Sequence, residues 1–400
     1  MFRAVAALLA VGLADPYPPL STSGRYVVDR SGKRVKLACV NWAGAEEKDG
    51  VSGGLQHQPA AAIAKLFKDQ GFNCVRLLWS VWVVEANPVV RNDTLLHANP
   101  KLNGKRALTI LDAVVDALSS EGLMTILDNH MSDNDWCCTE QDENGMWYND
   151  RYSEQEWMAA HVAMAKRYKA NPFVVGTELR NELRSAVVGG TTLTPTWGTG
   201  DATDWHAAAQ RAGNAILKIN PDILVVVDGL AYSTDLKGVA DKPIVLDVPN
   251  KVVYSAHDYS WTTQAGLSYE DFAAALTTGW GYILNSSAPA PIWVSEFGEW
   301  HDPAKGELKP EAWLQSRLLR YLRENDLDFA YWRGDGTESR GATRTFGAEA
   351  GFGLENTAWD GPAGGGVLLG LLQGIQQPTT GPKGSWCWGC WSLRSMSIQV

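Results

Sequence analysis

The chain has 400 residues, of which 45% are hydrophobic and 20% charged, and this composition predicts a folded protein with a large core. The formal net charge of -10 excludes the basic surface that a nucleic-acid partner requires. No later segment is continuously apolar over the ~20 residues of a membrane helix, so the sequence predicts no membrane span.

The first 14 residues are typical of a signal peptide. Arg3 precedes an uncharged apolar stretch from Ala4 to Ala14, and Gly12-Leu13-Ala14 offers a small-x-small cleavage site. The alternative is an N-terminal helix of the mature fold. Six cysteines and two glycosylation sequons, at Asn92 and Asn285, agree with an oxidising secretory route, although the sequence leaves the cysteine pairing open.

Short apolar runs alternate with longer segments of helical period, which is the pattern of repeated βα units. The predicted strands are Val35 to Trp42, Phe72 to Trp79, Leu123 to Asn129, Phe173 to Arg180, Ile223 to Asp228, Lys251 to His257, Pro291 to Glu296 and Leu327 to Trp332. The predicted helices between them are Pro59 to Gln70, Ala107 to Glu121, Glu154 to Ala170, Asp204 to Ile219, Tyr269 to Leu284 and Pro310 to Glu324. Eight repeats predict a closed (β/α)₈ TIM barrel in the α/β class.

The C-terminal region differs in composition from the rest of the chain. It is rich in glycine from Gly361, passes a last predicted helix near Val367 to Gln373, and ends in Trp386-Cys387-Trp388-Gly389-Cys390-Trp391. We interpret residues 15–375 as one domain and residues 376–400 as a Trp/Cys-rich tail. The tail is either a small sugar-binding edge or a segment that a disulfide pins to the barrel.

Two glutamates end predicted strands on opposite sides of the barrel mouth. Active-site side chains of such barrels come from the C-terminal strand ends, where Glu182 follows the fourth strand and Glu296 ends the seventh. A retaining glycosidase needs one carboxylic acid to protonate the leaving oxygen and one carboxylate, about 5 to 5.5 Å away, to attack the anomeric carbon. We assign Glu182 as the general acid/base and Glu296 as the nucleophile.

Other polar strand ends fit the same chemistry. Asn181 is expected to bind a sugar 2-hydroxyl, the charge of Arg76 to keep Glu296 ionised, and Tyr259 to donate to the same carboxylate. His130, His257 and Trp332 are expected to bind hydroxyls, tune the acid and form the floor under the sugar. A core histidine or a simple ion pair is the alternative interpretation for each residue alone.

From about Val35 to Trp332 the chain resembles glycoside hydrolase family 5, the cellulase-type family of clan A barrels. The resemblance implies catalytic or binding roles for Arg76, His130, Asn181, Glu182, His257, Tyr259, Glu296 and Trp332. The runs Leu179 to Arg184 and Trp293 to Gly298 are similar to a eukaryotic branch that includes plant proteins. Leu183 stands where the family usually has proline after the acid/base glutamate, which puts the substrate in question more than catalysis.

The resemblance implies a β-glycosidase whose substrate is β-glucan, β-mannan or a glycolipid head group. With the predicted signal peptide we expect a secreted protein, and we expect a monomer without a metal or other cofactor. The competing interpretation is a non-catalytic carbohydrate-binding or cell-surface barrel. A metal-dependent hydrolase is disfavoured because the seven histidines form no H-x-H pair. A phosphate-binding barrel is disfavoured because this sequence lacks the glycine-rich turn that such a barrel uses to bind phosphate.

Further acidic residues receive structural interpretations. Glu178 is predicted to be an inner ion-pair residue. Glu299, Asp335 and Glu338 lie in predicted mouth loops and are interpreted as solvated charges rather than sugar subsites. We expect the segments 133–149 and 185–201 to form the walls that determine specificity.

Overall fold

The computed structural model describes residues 18–378, apart from residues 136, 140, 263–266, 303–306, 309–313 and 341–343. The predicted signal peptide and residues 379–400 of the predicted tail, including Cys387 and Cys390, lie outside the described residues. The division into leader, domain and tail therefore stays a prediction.

Eight parallel strands form a closed barrel in chain order, which confirms the predicted fold class. The strands are β1 Ala38–Trp42, β2 Cys74–Ser80, β3 Met124–Met131, β4 Val174–Glu178, β5 Leu224–Asp228, β6 Val252–Tyr259, β7 Ile292–Gly298 and β8 Asp328–Tyr331. The barrel closes where β8 pairs with β1, with Phe329 beside Ala38. All eight predicted strands are present.

Helices follow the strands on the outside of the barrel. They are α1 Ala60–Asp69, α2 Val81–Ala86, α3 Ala107–Ser120, α4 Glu154–Arg167, α5 Trp205–Ile219, α6 Leu230–Ser233, α7 Tyr269–Gly279, α8 Leu319–Glu324 and α9 Val367–Gln373. Short hairpins pair Ser21–Ser23 with Tyr26–Val28 and Ala186–Val188 with Thr191–Leu193. None of the helices in the described part of the chain is long and apolar enough to cross a membrane.

Two predicted helices differ from the structure over their described residues. The helix predicted for Tyr269 to Leu284 ends at Gly279, because Trp280 leaves the helical region with φ -157°, and a 3₁₀ turn over Gly281–Asn285 follows. Of the helix predicted for Pro310 to Glu324, residues 310–313 lie outside the described residues, Leu314–Leu318 form a π-helical turn and Leu319–Glu324 form an α-helix. Glycine lowers helix propensity, which accounts for the first difference.

Polar side chains cap the start of α2, α4 and α5. Ser153 caps α4 in a capping box with Glu156, and Asp204 caps α5 by accepting from the backbone N–H of Ala207. Ser80, the last residue of β2, caps the short helix α2, which the sequence pattern did not predict. The strand ends thus pass directly into helices.

The interior of the barrel has an apolar lower part and a polar upper part. Alternate strand residues at the N-terminal ends, such as Cys39, Met124 and Leu224, belong to one buried apolar cluster, and a disulfide joins Cys39 to Cys74. Two residues further along β2, the same strand face carries the fully buried Arg76. The apolar layer therefore supports a polar site at the C-terminal ends of the strands.

Candidate active site

Arg76 is the fully buried cation at the centre of the site. Its guanidinium donates to Glu296 Oε1 at 2.6 Å, Asn181 Oδ1 at 2.8 Å and Asn41 Oδ1 at 2.9 Å, and it forms ion pairs with Glu178 and Asp128. Burial lowers the pKa of Arg76, but the charges of Asp128, Glu178 and Glu296 outweigh that effect and raise it well above its usual value. Arg76 is therefore a permanent positive charge beside Glu296, as predicted, and Glu178 is an inner ion-pair residue.

Glu296 is held by donors on both carboxylate oxygens. Arg76 donates to Oε1, and the hydroxyl of Tyr259 donates to Oε2 at 2.9 Å. A register shift between β6 and β7, after Ala256, brings His257 opposite Glu296. Burial and then the nearby carboxylate charges raise the pKa of Tyr259 well above its usual value, so its hydroxyl stays a donor. The predicted contact between Tyr259 and the carboxylate is present.

Glu182 adopts a left-handed backbone conformation with φ 46°. Its carbonyl accepts from Arg184 Nη1 at 2.7 Å, and the N–H of Arg184 donates to Gly145 O at 3.0 Å. Left-handed conformations of residues other than glycine cost of order 1–3 kcal/mol and persist where the surroundings fix them. Leu183 is fully buried and its carbonyl accepts from Tyr232 N at 3.0 Å, so leucine fills the position where the family usually has proline.

A hydrogen-bonded chain runs from Glu182 into the barrel. Glu182 Oε1 lies 3.0 Å from His257 Nδ1, His257 Nε2 lies 2.9 Å from Ser295 Oγ, and the Ser295 hydroxyl donates to Glu178 Oε1 at 3.2 Å. Because Ser295 donates to Glu178, Nε2 of His257 carries the hydrogen that it gives to Ser295. His257 and Glu182 then share one proton across their 3.0 Å contact.

The charges around this pair favour an ionic form. Burial raises the pKa of Glu182, but the hydrogen bond from His257, its charge and that of Arg184 outweigh burial and lower the pKa below its usual value. Burial lowers the pKa of His257, but the charges of Glu296 and Glu182 outweigh burial and raise it. In the resting site the shared proton therefore lies toward His257, which acts as its store.

The two predicted catalytic glutamates meet at the mouth of the barrel. A carboxylate oxygen of Glu182, a ring nitrogen of His257 and a carboxylate oxygen of Glu296 all lie within 4.8 Å of one another. The side chain of Glu182 is 13% exposed and that of Glu296 is 5% exposed, so both reach the surface of the site. Residues 114 positions apart in the sequence thus present facing carboxylates, from 296 - 182 = 114.

His130, Asn181 and Trp332 form the adjoining wall. The ring of His130 stacks on Trp332 with centroids 5.5 Å apart, and its Nδ1 lies 2.7 Å from Asp128 Oδ2. Burial, and after it the charge of Arg76, lowers the pKa of His130 to about 3 despite nearby carboxylates, so its imidazole is neutral. Asn181 Nδ2 faces His130 Nε2 at 3.5 Å. The structure brings all eight predicted site residues together.

Several residues of the site were not predicted from the sequence. Asn41 and Asp128 hold Arg76, and Ser295 links His257 to Glu178. Asp128 lies two residues before the predicted His130 on β3, so alternation along the strand was the available signal for it. Cys137 and Cys138 also reach Asn181, and no sequence pattern indicated this contact.

Trp261 forms an exposed aromatic shelf beside the site. Its ring stacks on Tyr259 with centroids 4.6 Å apart, and Phe352 contacts its edge at 6.1 Å. The side chain is 66% exposed, although its partner Tyr259 is buried. One face of the indole is therefore free of Tyr259 and available to a flat apolar ligand such as a sugar ring.

The acidic residues of the mouth loops are mostly not solvated. Asp335 is fully buried and Glu299 is only 5% exposed, so the expectation of solvated loop charge is wrong for both. Asp335 accepts from the N–H of Ala43 at 3.1 Å, and Glu338 forms an ion pair with Arg333. Burial raises the pKa of Asp335 to about 6. These carboxyls hold the loops that surround the barrel mouth.

Among the described residues, three clusters bring three ligand atoms of the kinds that bind metals within 4.8 Å. Two of them contain His257 with carboxylates that already bind Arg76, Tyr259, His257 or a serine hydroxyl. The third consists of His130, Cys137 and Cys138. Only the third combines a neutral imidazole with sulfur.

The chain has relatives among known proteins. Residues 28–337 match the family model Cellulase (glycosyl hydrolase family 5). The chain is 34% identical to an endoglucanase of Paenibacillus polymyxa over 78% of both chains. It is 33% identical to a glycosyl hydrolase 5 family protein of Chamaecyparis obtusa over 95% of this chain and 70% of that protein.

Solved structures give the same result for the fold. The catalytic domain of the major endoglucanase of Xanthomonas campestris pv. campestris superposes with a TM-score of 0.70 and 26% identity, covering 89% of this chain and 99% of that domain. A hyperthermophilic endocellulase of Pyrococcus horikoshii gives a TM-score of 0.73 at 24% identity, over 91% of this chain and 100% of that one, and shows the fold alone. The chain belongs to glycosyl hydrolase family 5 and is a glycoside hydrolase that acts on O-glycosyl bonds.

Proposed function

We propose that this protein is a secreted, retaining endo-β-glucanase in which Glu296 is the nucleophile and Glu182 the general acid/base. The observation that carries the proposal is the approach of the two carboxylates within 4.8 Å, with different partners on each. Glu296 receives two charge-assisted donors, whereas Glu182 shares a proton with His257. These environments match the roles of attacking carboxylate and proton carrier.

The first displacement forms a glycosyl-enzyme. A Glu296 oxygen bonds to the anomeric carbon while the bond from that carbon to the leaving oxygen breaks. The proton stored on the pair of His257 and Glu182 passes through Glu182 to the leaving oxygen. Asn181, positioned by Arg76, supports the 2-hydroxyl, and Trp332 lies under the sugar ring.

The second displacement releases the sugar with its original configuration. The carboxylate of Glu182, whose pair with His257 has given up its shared proton, takes a proton from water, and the water oxygen displaces Glu296 from the anomeric carbon. The hydroxyl of Tyr259 stabilises the departing Glu296 carboxylate through the same hydrogen bond. The proton returns to the pair of Glu182 and His257, which completes the cycle.

Three observations support a β-glucan substrate and secretion. The relatives from Paenibacillus and Xanthomonas are an endoglucanase and a major extracellular endoglucanase. Trp261 extends the site beyond Trp332 with an exposed aromatic face, which suits a substrate longer than one sugar. The predicted signal peptide over residues 1–14 agrees with export, and we expect a monomer.

The test compares wild type, Glu296→Ala and Glu182→Ala on β-glucans, β-mannan and aryl β-cellobiosides of graded leaving-group ability. We expect Glu296→Ala to lose nearly all activity on every substrate. Glu182→Ala should still react in a first burst with good leaving groups and then stall, because those groups need little protonation. Proton NMR of the first product formed by wild type should show the β configuration.

A matched control is Glu355→Gln, which replaces a buried glutamate bonded to Gln70 and should keep wild-type activity. Equal loss in Glu182→Ala for all leaving groups would contradict the acid/base assignment, and an α product would contradict retention. Binding of cello-oligosaccharide without turnover by wild type would favour the non-catalytic alternative.

A further inference from the structure

Two adjacent cysteines contact the proposed sugar site. Cys137 is buried and Cys138 half-buried, and their sulfurs are joined as a disulfide in the loop after β3. Asn181 Nδ2 lies 3.7 Å from Sγ of each. The side-chain amide assigned to the sugar 2-hydroxyl therefore also donates to sulfur.

His130 completes a three-ligand cluster with these sulfurs. Ligand atoms of His130, Cys137 and Cys138 all lie within 4.8 Å of one another. Asp128 Oδ2 lies 2.7 Å from His130 Nδ1, which leaves the lone pair on Nε2, the nitrogen that faces Asn181. A carboxylate behind the far nitrogen of an imidazole is the usual support of a metal-binding histidine.

We propose that the reduced Cys137 and Cys138 form, with His130, a binding site for a soft divalent cation such as Zn²⁺ or Cd²⁺. As a disulfide the two sulfurs have no thiolate to offer. A trialkylphosphine and water reduce the disulfide to two thiols and give the phosphine oxide, and the cation then displaces both thiol protons. Two thiolates and one imidazole suit these cations, and a fourth position remains for water.

Occupation of this site inhibits the enzyme. Arg76 Nη2 holds the carbonyl oxygen of Asn181 at 2.8 Å, so the amide nitrogen stays directed at His130 and the sulfurs. With metal bound, that nitrogen donates to metal-bound thiolates instead of the sugar. Metal binding also moves the His130 ring away from its stacking contact with Trp332. Soft metals thus act only on the reduced protein.

The experiment uses full-length protein carrying Cys387→Ser and Cys390→Ser, so that the second pair of nearby cysteines cannot bind the probe. Cadmium chloride is titrated into untreated protein and into protein reduced with a trialkylphosphine. The thiolate-to-metal charge-transfer absorbance and the hydrolysis of an aryl β-cellobioside are recorded together. Cys137→Ser, Cys138→Ser and Cys39→Ser with Cys74→Ser are measured in the same background.

We expect the reduced protein to bind one cadmium per chain and to lose at least tenfold in activity, with recovery after a chelator. Each of the Cys137→Ser and Cys138→Ser variants should lose most of the absorbance, while the Cys39→Ser, Cys74→Ser variant should keep it. An unchanged band in the first two variants, or the same band without phosphine, would overturn the proposal. Binding without inhibition would overturn its placement at Asn181. The absorbance does not depend on turnover, so these results stand apart from the proposed β-glucanase activity.

Discussion

Replacement of Tyr259 by phenylalanine removes one donor from the proposed nucleophile and leaves the ring in place. The hydroxyl donates to Glu296 Oε2 at 2.9 Å in a fully desolvated position. A hydrogen bond to a charged group contributes about 1.5–3 kcal/mol, and about 1.4 kcal/mol corresponds to a factor of ten in rate. We therefore expect kcat to fall roughly 10- to 150-fold, mainly in the step that releases Glu296 as a carboxylate.

The assay is steady-state hydrolysis of an aryl β-cellobioside with a good leaving group, for which release of the glycosyl-enzyme limits turnover. Tyr331→Phe is the matched control, because its hydroxyl is equally buried but donates to the backbone carbonyl of Phe352 at 3.0 Å. The control should stay within about threefold of wild type in kcat. Its unfolding free energy should still fall, because the variant loses a buried hydrogen bond. Equal losses of activity in the two variants would refute the assigned role of Tyr259.

Trp261→Ala should raise KM for cellopentaose about 3- to 10-fold and leave KM for an aryl β-glucoside unchanged, because the exposed face of Trp261 lies outside the cleavage point. Equal effects on both substrates would contradict a distal subsite at Trp261. The double variant Cys39→Ala, Cys74→Ala removes a disulfide that closes a loop with a sequence separation of 35, and it should lower the unfolding free energy by about 4 kcal/mol in urea titrations. Wild-type protein under reducing conditions too mild to open this buried disulfide should keep its unfolding free energy. Burial raises the pKa of Glu355 to about 8, so the folded chain keeps a proton that the unfolded chain loses above pH ~4.5. Because of this difference, Glu355 makes the unfolding free energy fall as the pH rises from about 5 to 8. Glu355→Gln should remove that part of the fall, and identical pH slopes for variant and wild type in chemical denaturation would count against it.

The fold was largely predictable because the barrel strands are buried on both faces. Such strands appear in the sequence as continuous apolar runs, and all eight were found within a few residues. The end of α7 was misplaced, because the apolar residues after Gly279 continue the helical pattern although glycine had already ended the helix. The helix α2 was missed because Ser80 serves both as the last residue of β2 and as a cap.

The site was predictable only in its outline. Strand ends and the family resemblance indicated Glu182 and Glu296, but not how their protons are managed. The contact from His257 through Ser295 to Glu178 joins three strands, and no local pattern encodes a hydrogen bond across them. Likewise, the burial of Asp335 depends on loop packing that polarity alone does not predict.

The pairing of Phe329 with Ala38 also governs when the protein can mature during synthesis. The first strand has no partner on one side until the last strand has left the ribosome, almost 300 residues later, from 329 - 38 = 291. At roughly 5–20 residues per second, this leaves an exposed strand edge for about 15 to 60 s. An unpaired strand edge is a template for aggregation, so slower translation, which lengthens this interval, should increase aggregation although the finished barrel is unchanged.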